Sequence, residues 1–159
     1  MNTAESYKLL ENIFVLKKST LFSSVNTNEL RAVAAIVEEL SFRKSSTIVR
    51  EGDIGDCLYL IKKGKVQITK KVGMHGTAVL AELADGECFG EMAAIDEEVR
   101  SASVTAIQDC TLLRISKDDL KDVILECPNI GLELLNIFVK RLRSSNARIE
   151  TLSKNGEKS

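Results

Sequence analysis

Residues 89–106 read FGEMAAIDEEVRSASVTA, and the rest of the chain is organised around them. A tight Phe-Gly-Glu turn opens the stretch. Met92, Ala93, Ala94 and Ile95 follow, enough for about one helical turn. Next come Asp96, Glu97 and Glu98, a single arginine at position 100, and small residues in a strand pattern. Gly90 lets the backbone come close to a ligand. The first N–H groups of a helical turn have no internal partners, and with the helix dipole they suit an anion. Arg100 supplies a planar, permanently charged fork to the same anion. Glu91 cannot help an anion, but it can accept a hydrogen bond from a sugar hydroxyl. An anion site beside a hydroxyl acceptor describes a nucleotide sugar-phosphate.

Upstream, the pattern is that of short strands. Residues 51–56, EGDIGD, form a turn of Gly and Asp. Residues 57–61, CLYLI, are a continuous apolar strand that Lys63-Gly64 turns. Val66, Ile68 and Val72 alternate with Lys65, Gln67, Thr69 and Lys71, as in a half-buried strand. Residues 73–76 form a loop that carries His75, residues 77–83 the next strand, and residues 84–86 the next turn. Beyond the central stretch, residues 102–107 and 111–115 are two more strands. Short strands with Gly-containing turns at near-regular spacing indicate an antiparallel barrel or jelly roll.

Helical patterns flank this roll. Leu9, Leu10, Ile13, Phe14 and Leu16 lie at helical spacing over residues 5–17. Asn26-x-x-Glu29 is a capping signal. The helix it starts places Leu30, Val33, Ala34, Val37 and Leu40 on one face. Ser116-x-x-Asp119 caps a short helix, and Pro128 ends it and begins the last one. That last helix, over residues 128–153, carries Gly131, Leu135, Phe138, Leu142, Ser145, Ile149 and Leu152 at alternating steps of four and three. Such a seam serves either packing along its own roll or pairing with a twin helix in a homodimer. Residues 154–159 are expected to be a frayed polar tail.

FGE-M-A, an arginine nine residues after the glutamate, and then R-S-A-S-V-x-A resemble the phosphate-binding cassette of cyclic nucleotide-binding domains. That family includes the bacterial catabolite activator, regulatory subunits of cAMP-dependent protein kinase and cyclic nucleotide-gated channels. EGD-x-GD, LYLI and G-x-V-x-I are similar to its β-roll, so the resemblance runs over residues 21–152. Val99 stands where a proline often precedes the arginine, and Ala94 replaces a larger apolar residue.

The resemblance implies an α+β fold: an antiparallel β-roll (a double-stranded jelly roll) with N-terminal helices, a short cassette helix and a long C-terminal helix. The chain is then one domain over residues 1–159. Helices span 1–40, the roll with its cassette (89–104) spans 41–115, and C-terminal helices span 116–153. The implied ligand-binding residues are Phe89, Gly90, Glu91, Met92, Ala93, Arg100, Ser101, Ala102, Ser145 and Asn146. Arg100, the N–H groups near Glu91 and Met92, and the Ser101 hydroxyl would hold a cyclic phosphate. Glu91 would accept the ribose 2′-OH. Ser145 and Asn146 occupy the helix positions that contact adenine in the catabolite activator; a polar seam residue setting helix register is the other account. The expected ligand is cAMP, while Ser101 keeps cGMP open.

Composition sets the bounds. Hydrophobic content of 44% and charged content of 28% are those of a globular protein, and 159 residues can bury one core. A net charge of -1 gives no global field for nucleic acid, and Lys140, Arg141 and Arg143 are read as a solvated helix face. No apolar run of about 18 residues is present to span a membrane, and the N-terminus carries no export signal. Cys57, Cys88, Cys110 and Cys127 form no CxxC pair, and His75 is the one histidine. Cys57 and Cys110 fall inside strand patterns, so buried free thiols are expected there, in a reducing cytoplasm, with neither zinc nor another cofactor. One loop histidine without metal-spaced ligands also argues for a regulator rather than an enzyme. The expectation is a cyclic nucleotide receptor without its own output domain, which repacks its last helix and signals to a protein partner. The initiating Met and polar end favour a complete small protein. The alternative is a degenerate β-roll that acts as a dimeric interaction module.

Overall fold

The computed structural model describes residues 2–96 and 99–157. Glu97 and Glu98 of the central stretch, and the side chains of Ala93 and Ala94, lie outside the described set. Two helices lead: α1 (Thr3–Lys18) and α2 (Thr27–Ile36). Strands β1 (Glu38–Phe42), β2 (Thr47–Val49), β3 (Cys57–Lys63), β4 (Lys65–Val72), β5 (Gly76–Ala84) and β6 (Cys88–Phe89) follow. Then come α3 (Glu91–Asp96), β7 (Ser103–Ala106), β8 (Cys110–Ser116), α4 (Lys117–Glu126) and α5 (Pro128–Glu157). The strands form two four-stranded antiparallel sheets, ordered β1-β8-β3-β6 and β2-β7-β4-β5. This is the β-roll that the strand spacing predicts.

The caps are local and readable. Asn26 Oδ1 accepts from the Glu29 N–H at 2.9 Å, and Ser116 Oγ accepts from the Asp119 N–H at 3.1 Å. Asn2 and Glu5 add a reciprocal capping box on α1.

Residues 57–61 of β3, and Leu112, Leu113 and Ile115 of β8, are buried because both faces of these strands are covered. On one side Leu58, Leu60, Leu113 and Ile115 join Leu16, Phe22, Leu30, Ile130 and Leu134 of the helical layer. On the other, Tyr59, Ile61, Leu112 and Phe89 fill the inside of the roll with Val66 and Val104. Lys62 joins α1 to β1: its Nζ lies 2.9 Å from Glu11 and 3.2 Å from Asn12 Oδ1 on α1, and 3.0 Å from Glu39 on β1. Cys57 and Cys110 are free and buried, as expected, and so are Cys88 and Cys127.

Three expectations need correction. Leu40 does not extend α2: the helix stops at Ile36, and Leu40 pairs with Leu112 in β1. Strand pairing outcompetes the helical spacing there, because residues 38–42 can each join the β8 ladder. The tail does not begin at position 154, since α5 continues to Glu157. The heptad seam read on α5 mixes two faces. Phe138 turns towards the helical core with Ile130, Leu134 and Ile137. Leu132, Leu135, Val139, Leu142, Ile149 and Leu152 are exposed instead. Spacing alone gives the period of an apolar stripe, but not which stripe meets the domain's own core.

Candidate functional site

The central stretch folds into a cradle between the two sheets and α5. β6 ends at Phe89, whose ring stacks on Tyr59 with centroids 5.1 Å apart. The chain then turns at Gly90 with φ 83°, and α3 starts at Glu91. Gly90 is required here for two reasons. Its φ lies in the left-handed region, and a Cβ would collide with Arg100 Nη1 and come within 3.0 Å of the Cys57 carbonyl oxygen.

Arg100 is 6% exposed, and its fork is set on two carbonyls. Nη1 donates to Gly90 O at 3.0 Å, and Nη2 donates to Cys57 O at 2.8 Å. The guanidinium carbon lies 6.0 Å from the Tyr59 ring centroid. Burial, with the Cys57 hydrogen bond added, pushes the Tyr59 hydroxyl up to about 12. The Arg100 backbone is pinned as well: its N–H donates to Asp53 O at 2.7 Å, and its carbonyl accepts from the Gly52 N–H at 2.9 Å.

Glu91 is 1% exposed, and among the described residues its Oε2 has no hydrogen-bond partner. Its counter-charge is Arg141 of α5, which forms an ion pair with Oε1. Arg141 Nη2 also donates to Cys88 O at 2.7 Å. Burial lowers the pKa of this guanidinium, which keeps its charge because arginine starts so high. An anionic acceptor held in the interior with spare lone pairs is costly unless something completes its hydrogen bonding.

These groups line a cavity of about 180 Å³ that includes Phe89, Gly90, Glu91, Met92, Arg100, Ser101, Ala102 and Arg141. The structure thus brings together seven of the ten predicted residues. Ser145 lines a second cavity of about 470 Å³, between α3 and α5, with Met92, Ile95, Phe138 and Leu142. Arg141 walls both cavities. Asn146 lines neither and is exposed. The side chain of Ala93 lies outside the described residues.

Arg141 corrects the reading of a solvated basic face. It lies seven positions after buried Leu134 and three after half-buried Phe138, so it shares the inward stripe of α5. That spacing was available in the sequence. What it would meet there was not.

Among the described residues, no cluster of His, Cys, Asp or Glu could hold a metal ion, and no helix is long and apolar enough to cross a membrane.

A family model described as cyclic nucleotide-binding domain matches residues 39–127. The cyclic AMP receptor protein of Thermus thermophilus is 31% identical over 138 residues, which cover 87% of this chain and 64% of that protein. The cAMP-dependent protein kinase regulatory subunit of Dictyostelium discoideum is 35% identical over 66% of this chain and 32% of its own length. Among solved structures, the catabolite activator protein of Thermus thermophilus superposes with a TM-score of 0.79 at 31% identity, covering 85% of this chain and 63% of that one. The regulatory domain of Toxoplasma gondii PKA with cAMP gives 0.67 at 26% identity, over 77% of this chain and 46% of that one. The chain therefore spans less than two thirds of the length of these relatives.

Proposed function

Because the chain belongs to the cyclic nucleotide-binding domain family, we propose that it is a cytoplasmic receptor for a 3′,5′-cyclic nucleotide, with cAMP preferred to cGMP. The observation that carries this reading is the buried Glu91 carboxylate, whose Oε2 has no hydrogen-bond partner among the described residues, beside Arg100 in one cavity. A nucleotide sugar-phosphate supplies what each lacks. The cyclic phosphate lies against Arg100, the Ser101 hydroxyl and the N–H groups at the start of α3. The free 2′-OH of the ribose donates to Glu91. Phosphate alone would be repelled by Glu91, and a neutral sugar would leave Arg100 without its anion, so the pair selects a ligand with both groups.

The base extends towards the larger cavity between α3 and α5, where Ser145 offers a hydroxyl. Arg141 stands between the two cavities and holds Glu91. A ligand hydroxyl on Glu91 changes what Arg141 must neutralise, and α5 repacks with it. Binding shifts this equilibrium only to the extent that the ligand prefers one helix position. The preference for cAMP rests on the relatives, whose names and bound ligand specify cAMP. Those relatives are receptors and regulatory subunits, so we read this chain as a regulator with an unidentified protein effector, not an enzyme.

The exposed apolar stripe of α5 supports a homodimer built on that helix. Leu132, Leu135, Val139, Leu142 and Ile149 repeat at steps of three and four, and Asn146 sits within that repeat as its polar position. The same stripe supports the second reading, a roll that pairs with its twin and binds no nucleotide.

Calorimetric titration with cAMP and then cGMP separates these readings. Micromolar or tighter binding, weakened about 100-fold or more in Arg100→Ala and hardly restored in Arg100→Lys, is the expected result. Folded, nucleotide-free protein that takes up neither ligand would leave the interaction module. Conversion of cAMP to AMP during the titration would instead make the chain an enzyme.

A further inference from the structure

The loop that carries Arg100 and Ser101 is held from outside the cavity by a pair of charged residues. Lys70, on β4, donates from Nζ to the Ser101 carbonyl at 2.7 Å. The same Nζ lies 3.4 Å from Glu51 Oε1. Glu51 is itself fixed twice: its Oε2 accepts from the Lys71 N–H at 3.0 Å, and its own N–H donates to Ser103 Oγ at 2.9 Å. The Lys71 N–H and the Lys70 cation hold the Glu51 carboxyl below its ordinary range, so it stays charged at neutral pH. Gly52 and Asp53 close the arrangement through their two backbone bonds to Arg100. The turn at residues 51–53, the end of β4 and residues 100–103 are thus stitched together around the arginine.

We infer that Lys70, oriented by Glu51, is a positioning residue of the anion site, acting through the Ser101 peptide. This rests on the receptor reading above. A trans peptide is planar, with C=O and N–H on opposite sides. Fixing the Ser101 carbonyl on Lys70 therefore turns the Ala102 N–H to the opposite side and sets the plane from which the Ser101 side chain departs. Ser101 and Ala102 both line the cavity, whereas Lys70 is not among its lining residues. The Lys70 side chain is 46% exposed, so removing its charge frees a carbonyl that water can reach and leaves the fold intact. Its effect falls on the geometry of the site, where small misplacements are costly.

The test is titration of Lys70→Met, Lys70→Arg and Glu51→Gln with cAMP, with thermal midpoints measured on the same samples. Lys70→Met weakens binding about 10-fold, as expected when one charge-assisted hydrogen bond no longer sets the site. Its midpoint stays within about 2 °C of the parent. Lys70→Arg, which can still reach both partners, restores binding to within about 2-fold. Glu51→Gln shows an intermediate loss. In a Ser101→Ala background, Lys70→Met costs less than half as much on a logarithmic scale, because the two act as one unit. Binding by Lys70→Met equal to the parent, an unchanged cost in the Ser101→Ala background, or a midpoint that falls in step with affinity would each overturn the inference while leaving the receptor reading in place. A parent chain that binds neither nucleotide overturns both.

Discussion

Arg141 of α5 is ion-paired with Glu91, the first residue of α3 and one of the most deeply buried acids of the roll. The pair joins the terminal helix to the start of α3 across the cavity wall. Its two members are otherwise held apart, Glu91 by the turn at Gly90 and Arg141 by the packing of Leu134 and Phe138. Whatever fills the cavity must coexist with this contact or replace it.

Truncating Arg141 should cost more stability than its half-exposed side chain suggests. Arg141→Ala leaves Glu91 buried without a counter-charge, a loss of about 2 kcal/mol, below the ~3–5 kcal/mol of fully buried pairs because Arg141 retains some solvent. Adding Glu91→Gln removes the stranded charge and should recover most of that loss. Urea denaturation of the parent, both single variants and the double variant measures the coupling; additive costs would show that the pair contributes nothing as a pair.

Two glycines with similar backbone angles should respond differently to alanine. Gly90 and Gly52 have φ of 83° and 89°. At Gly52 a Cβ meets nothing within 4 Å, so Gly52→Ala should cost only the backbone strain, about 1 kcal/mol. At Gly90 the added methyl displaces the Arg100 guanidinium from its two carbonyls. Gly90→Ala should cost about 3 kcal/mol or more and abolish nucleotide binding, since strain, steric clash and lost hydrogen bonds combine. Chemical denaturation and titration of the two variants side by side provide the comparison.

Alkaline pH should destabilise the roll before its surface lysines titrate fully. Burial raises the Cys88 thiol from an ordinary value of 9.0 to about 11. A group whose folded pKa is raised contributes its full share below the unfolded pKa and loses it as pH rises through the folded one. For Cys88 that window runs from about pH 9 to 11. Tyr59, raised from 10.0 to about 12, extends the loss upwards. Stability should therefore hold flat to about pH 8.5 and then fall, with Cys88→Ala flattening the first part of the decline. Denaturation midpoints between pH 7 and 11 test the sign, and a rise over this range would contradict the burial argument.

The open stripe of α5 should govern association without supporting the fold. Leu132 and Leu135 are 59% and 57% exposed. Leu132→Lys with Leu135→Glu should convert a dimeric parent to a monomer while moving the thermal midpoint of the monomeric fold little, because surface substitutions stay within about 0.5 kcal/mol. Sedimentation velocity across a range of concentrations reads the change. A parent that remains monomeric at high concentration would remove the dimer from the proposal.

Much of the cradle was legible along the chain because its parts are close together in it. The turn at Gly90, the short helix that begins at Glu91 and the arginine nine positions later are one contiguous unit, and their spacing carries the chemistry. The strands of the roll were legible for a related reason: the alternation of Val66 and Ile68 with Gln67 and Thr69 reflects which side of a pleat each residue occupies. Leu40 was misplaced because its spacing from Val33 and Val37 suits a helix, and the ladder partner that decides otherwise, Leu112, lies 72 residues away.

By itself, then, the sequence determined the roll, the caps, the buried thiols of Cys57 and Cys110 and the turn from Gly90 into α3, all of which depend on local pattern and residue chemistry. Only the tertiary structure decided which face of α5 is covered, that Arg141 reaches Glu91, and that Lys70 holds Ser101. The last two join residues 50 and 31 positions apart. They follow from how elements cross one another, which no local periodicity records.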